Sequence, residues 1–200
     1  IYNLARKYNL RVIEDAAHSF GCKLNQKRCG SFGDIVCFSF DGIKNITSGE
    51  GGAVVSKDKE IIQKVRDSRL LGVLNDTEKR LVGERSTEFD VINQGWRYHM
   101  SEIMAAIGRV QLSRFEEFAE KRIILAKNYQ RYLSSIKGID FFDINYGQIV
   151  PHIFVALLDH EKRDKLRFAL KKNGIGFGLH YMPNHLLSLY KGKQNFLINL

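Results

Sequence analysis

Phe38-Ser39-Phe40-Asp41-Gly42-Ile43-Lys44-Asn45-Ile46-Thr47-Ser48-Gly49-Glu50-Gly51-Gly52 is the stretch on which the reading of this chain turns. It opens as an apolar strand with one hydroxyl in it and closes on a run of glycines. Between the two stands one lysine, flanked by isoleucines. A hydroxyl in an apolar strand has to find a partner, and for Ser39 a phosphate oxygen or a neighbouring carbonyl would serve. The glycines permit positive φ and a close approach of the backbone. Held in a tight turn beside Ile43 and Ile46, Lys44 is expected to be partly desolvated, which makes an amine a better nucleophile toward an aldehyde. Most lysines on turns simply face water, and the stretch taken alone leaves that reading open.

Working outward, the residues before it supply an acid. The first eight residues carry Leu4, Ala5 and Tyr8 on one helical face. Val12-Ile13 then gives a short β-branched run that ends in Glu14-Asp15. Helix followed by strand is the αβ half of a parallel-sheet unit. Ligands of such sheets bind just beyond the carboxyl ends of the strands, where Asp15 falls. A carboxylate there can hold a positively charged ring nitrogen, or it can cap a turn. His18, three residues on, can stack on a flat ligand or sit as an ordinary surface histidine. Each residue is a weak signal by itself. The order is more specific: an acid at a strand end, a histidine, a strand serine, a lysine, a Gly-rich turn. Pyridoxal phosphate (PLP) asks for that set of parts, namely an acid for its ring nitrogen, a lysine for its aldehyde and donors for its phosphate.

Further along, residues 35–40 and 53–55 read as strands, and residues 57–71 as a helix stopped by Gly72. Residues from about Val73 to Gln94 are polar and aperiodic, a loop of the length that usually serves function. Ser101 is a helix N-cap with Glu102 in the first turn, and the helical pattern runs on to about Ile136. After Gly138, strands are expected at residues 150–158 and 175–181, with a helix at 161–172 between them. The expected division is therefore 1–112 for part of a large α/β domain with a mixed sheet, 113–136 for a linking helix, and 137–200 for the start of a small C-terminal α/β domain. The chain begins at Ile1 within a helical pattern and stops at Leu200 within the apolar run from Phe196. Neither end carries a cap, so both are expected to be internal to a longer protein.

Composition excludes several classes. Forty-four per cent apolar residues among 200 rules out a disordered chain. A formal charge of +9 would suit an anionic partner. No basic stripe repeats along a helix, however, and no aromatic-basic platform is present, so nucleic acid is not expected. Cys22, Cys29 and Cys37 are too few for a disulfide scaffold and match no zinc spacing, so no metal site is expected and a reducing cytoplasm is. No apolar run is long enough for a bilayer, and no signal peptide is visible.

The run from Val12 through Asp15, His18 and Ser19, then Gly30-Ser-Phe-Gly-Asp34, then Phe38 to Gly52, resembles the DegT/DnrJ/EryC1/StrS family of sugar aminotransferases, which are fold type I PLP enzymes. The likeness continues at Gly95 to Gly108, at Gln111-Leu112 and, more faintly, at Gly178-Leu-His-Tyr181. It implies that Asp15 bonds the PLP ring nitrogen and that His18 lies next to the ring. It implies that Ser39 contacts the phosphate, and that Lys44 is the Schiff-base lysine which also moves the substrate proton. It further implies an L-glutamate amino donor, a nucleotide-linked keto-deoxysugar acceptor and a homodimer. Many relatives have Gly-Tyr-Asn-Tyr-Arg-Met where this chain has Gly95-Trp96-Arg97-Tyr98-His99-Met100. There the asparagine reaches the partner's PLP phosphate; Arg97 stands in its place, as a second phosphate donor or as a surface residue. His180 and the loop near Asn75 to Glu88 are candidate substrate contacts. Some relatives are sugar dehydratases with a histidine at the lysine position, against which Lys44 stands; others aminate cyclitols. A truncated, non-catalytic remnant is the remaining alternative.

Overall fold

A computed structural model describes residues 1–75, 79, 82–84 and 88–191. Parts of the loop near Asn75 to Glu88, and the apolar run from Phe196, lie outside the described residues.

Helix α1 (Tyr2–Lys7) ends where Asn9 takes φ of 52°, with the Leu10 amide donating back to the Ala5 carbonyl. The chain then enters β1 (Ile13–Asp15). Asn25 and Gln26, both at positive φ, make the two-residue turn between β2 (Lys23–Leu24) and β3 (Lys27–Arg28). The main sheet is mixed and has the order β1-β4-β5. Strand β4 (Ile35–Ser39) lies parallel to β1, with Asp15 opposite Cys37, and antiparallel to β5 (Gly52–Ser56), with Ser39 opposite Gly52. Val36, on the middle strand, is fully buried.

Arg11 braces the entry to this sheet. Its guanidinium makes a two-point contact with Asp34 and reaches Asp58, and Asp58 in turn caps α2 (Lys59–Ser68) by accepting from the Glu60 and Ile61 amides. The guanidinium and the Val12 amide hold the Asp34 carboxyl down to about 2. Helix α2 stops short of the expected Leu71. Leu70 leaves it to bridge Arg97, while Gly72, at φ of 76°, sends its amide back to the Asp67 carbonyl.

The helical pattern from Ser101 to about Ile136 forms two helices, α3 (Glu102–Ser113) and α4 (Phe115–Leu133). The break at Arg114 turns Phe115 into the core, where it is 4% exposed beside Cys22, Ile46, Ala119 and Val150. Ser101 caps α3 through the Met104 amide, as its sequence suggests.

Two compact units result. Residues 1–137 with 141–156 form the first, and residues 138–140 with 157–200 the second. Strand β6 (Ile139–Phe141) pairs with β7 (Ala156–Leu158), which is shorter than the expected 150–158. Pro151 has no amide to offer a ladder, and the Val150 amide is taken by the Cys22 sulfur. Helix α5 (His160–Lys172) forms where expected. Residues 175–181 form no strand: they are exposed and without a ladder partner among the described residues.

Candidate active site

The β4–β5 connection is a loop closed by its own hydrogen bonds. The Phe40 amide donates to the Gly51 carbonyl, and the Ser48 amide to the Phe40 carbonyl. Thr47 Oγ1 also donates to Phe40 and accepts from the Gly49 amide, while Ser48, 1% exposed, donates to the Glu50 carbonyl at 2.6 Å. Gly52 has to be glycine, since a Cβ there would lie 2.5 Å from the Phe38 carbonyl oxygen. Asn45 and Ile46 plug the loop into the body of the unit. Ile46 joins the Phe115 cluster, and Asn45 Nδ2 donates to the Phe20 and Val150 carbonyls at 3.1 and 3.0 Å.

Lys44 stands at the tip of this loop, half-buried, with its amide donating to the Asp41 carbonyl. Ile46 is buried as expected, while Ile43 is exposed. Lys44 Nζ lies 2.9 Å from His18 Nε2. An ammonium can donate there only to a histidine whose Nε2 carries no proton. The His18 ring packs on that of His152, with centroids 4.1 Å apart.

Asp15 and Ser39 terminate adjacent parallel strands at the same edge of the sheet, the edge from which the lysine loop departs. Asp15 Oδ1 accepts from the Ala17 amide at 3.0 Å. Ser39 Oγ accepts from the Asp41 amide at 3.4 Å and, among the described residues, donates no hydrogen bond to a carbonyl or carboxylate, so its own proton remains to be donated. A carboxylate, a donor hydroxyl and a half-buried amine at one sheet edge are the donor set that a phosphorylated pyridine aldehyde requires, and the residues fit that cofactor.

Arg97 is exposed on the segment that bridges the end of α2, and no contact joins it to Lys44 or His18 among the described residues. His180 belongs to the second unit, where it is exposed and edge-on to Tyr181. A groove of about 1010 Å³ beside Phe38, Ile61, Val65, Trp96 and Met104 is lined by none of Asp15, His18, Ser39 or Lys44. Sequence reasoning missed His152 and Arg122, which bear on the lysine loop from far along the chain. A histidine directly after Pro151, at the mouth of a strand, was the only local hint of the first. Nothing local marks the second.

A sequence profile described as the DegT/DnrJ/EryC1/StrS aminotransferase family matches residues 1–197. A Campylobacter jejuni protein named UDP-4-amino-4,6-dideoxy-N-acetyl-beta-L-altrosamine transaminase is 36% identical over 200 residues, covering 96% of this chain and 50% of its own length. Among solved structures, Helicobacter pylori PseC, an aminotransferase involved in the biosynthesis of pseudoaminic acid, matches with a TM-score of 0.81 and 29% identity. That match covers 97% of this chain and 51% of PseC. Streptococcus pneumoniae Spr1654, solved in a PLP form, matches with a TM-score of 0.79 and 25% identity over 94% of this chain and 48% of its own. The chain thus spans about half the length of the curated relatives it matches.

Proposed function

Since this chain belongs to the DegT/DnrJ/EryC1/StrS aminotransferase family, we propose that the protein built around it moves an amino group from L-glutamate to a nucleotide-linked keto-deoxysugar, with PLP as cofactor. The observation that carries the reading is Lys44 on a self-closed loop, with its amine against His18, and with Asp15 and Ser39 at the ends of the adjacent parallel strands that lead to His18 and to the loop. PLP, when bound, supplies an electron sink for the pair left on the substrate carbon.

The chain's own residues do the rest. Lys44 would hold the cofactor's aldehyde through its amine, and the same Nζ would take up and return the substrate proton. Asp15 would hold the ring nitrogen in its charged form. His18, which meets the lysine amine, would face the ring. Ser39 would donate its hydroxyl to the phosphate, and Arg97 would supply a phosphate donor to the partner subunit's site, a task for which a guanidinium is well shaped. His180 contacts the sugar. The nucleotide-sugar class is supported by the Campylobacter relative, whose name specifies a UDP-linked aminosugar. A homodimer and a cytoplasmic setting complete the proposal; three free thiols suit the latter.

The test is isotopic. The whole protein, given PLP, amino-labelled [15N]glutamate and a UDP-linked 4-keto-6-deoxy sugar, is expected to deliver the heavy nitrogen to the sugar ring, read by mass spectrometry. Transfer to a cyclitol ketone but to no nucleotide sugar would sink the substrate class.

A further inference from the structure

The amine of a lysine is placed by its backbone as much as by its side chain, because a flexible four-carbon stem transmits any freedom at Cα to Nζ. The backbone of Lys44 is held from helix α4. Arg122, half-buried, donates from one terminal nitrogen to the Lys44 carbonyl at 3.3 Å. Its other terminal nitrogen donates to the His152 carbonyl at 3.1 Å and the Pro151 carbonyl at 3.5 Å. His152 packs on His18, and His18 meets Lys44 Nζ. These contacts close a ring that runs from Arg122 to the Lys44 backbone, out along its side chain to His18, across to His152 and back to Arg122.

Among the described residues Arg122 pairs with no carboxylate, so its donors are spent on carbonyls of two segments that are remote in sequence. A planar fork with fixed donor directions suits that task, since it holds the two segments at one separation. We propose that Arg122 is a positioning residue for Lys44, tying the lysine loop to the segment that carries His152 so that the amine stays at His18. The proposal rests on the function above for its purpose, and its geometry stands without it.

Competitive acetylation of the whole protein in its cofactor-free form tests this directly. Trace acetylating reagent is added, and the rate at Lys44 is read by peptide mass spectrometry against exposed Lys57. Arg122→Gln is expected to raise the Lys44 rate roughly three- to tenfold as the amine leaves His18 for solvent, the factor one lost hydrogen bond carries. Lys57 should not change. Arg122→Lys, which keeps the charge and the packed stem but loses the fork, is expected to fall between. An unchanged Lys44 rate would overturn the proposal, and so would a rise at all lysines alike, which would mark a general loosening. In the whole enzyme, Arg122→Gln is expected to lower kcat roughly tenfold at nearly unchanged KM, with partial recovery in Arg122→Lys. If wild-type Lys44 takes no cofactor at all, the function proposed above fails, while the acetylation ratio still decides the role of Arg122.

Discussion

Two irregular segments carry chemistry-bearing residues in this chain, and they are built differently. Residues 40–51 hold Lys44 inside a mesh of hydrogen bonds, with Asn45, Ile46 and Ser48 buried under it. Residues 173–191, which hold His180, are exposed throughout. The first segment takes its shape from contacts that this chain makes with itself. Among the described residues the second has only short-range backbone hydrogen bonds, such as Leu186 to Pro183, which define local turns. The difference teaches how each residue is held: Lys44 sits on a loop tied down by long-range hydrogen bonds and buried neighbours, and His180 on a segment without long-range hydrogen bonds among the described residues.

Substitutions can break or sharpen that contrast. Phe115→Ala should have the largest effect, because Phe115 is the floor beneath Ile46 and packs edge-on against Phe20 at 5.1 Å. A loss of about 3–5 kcal/mol in unfolding free energy is expected from chemical denaturation. A loss below about 1 kcal/mol would mean that the loop does not rest on this cluster. Arg11→Gln tests the brace under the sheet. Asp34 is depressed to about 2 by Arg11 and the Val12 amide, so its contribution is complete above the ordinary value of 3.8 and fades as pH falls toward 2. Removing Arg11 lets the carboxyl move back up, and the acid-unfolding midpoint should rise by up to about one pH unit. Circular dichroism against pH would show it, and an unmoved midpoint would make the ion pair irrelevant to folding. His180→Ala should have the smallest effect, within about 0.5 kcal/mol on stability, as for exposed positions without packed partners. A large loss there would erase the contrast between the two segments.

The sequence made some of this arrangement legible and hid the rest for physical reasons. Strands β4 and β5 announce themselves through β-branched runs and helix α2 through its stopping glycine, whereas the Asp58 cap, just inside the expected start of the helix, comes from the structure. The order Asp15, His18, Ser39, Lys44 is visible because a parallel strand and its neighbour deliver their ends to one edge, so that nearness in sequence becomes nearness in space. The helix break at Arg114 is hidden, since the helical period runs through it and only burial of Phe115 decides the turn. The apolar residues at 175–181 suggest a strand, but a strand requires a partner, and none of the described residues provides one. Arg122 acts on Lys44 across 78 positions, and no local pattern encodes a contact between a helix side chain and a distant carbonyl.

The measurement that bears most directly on the account is covalent trapping at Lys44. The whole protein is loaded with PLP, reduced with borohydride, digested and mapped by mass spectrometry. A pyridoxyl group on Lys44, absent from Lys44→Ala together with at least about a thousandfold of the transfer rate, is the expected result. Label on another lysine, or none on the loaded protein, would contradict it.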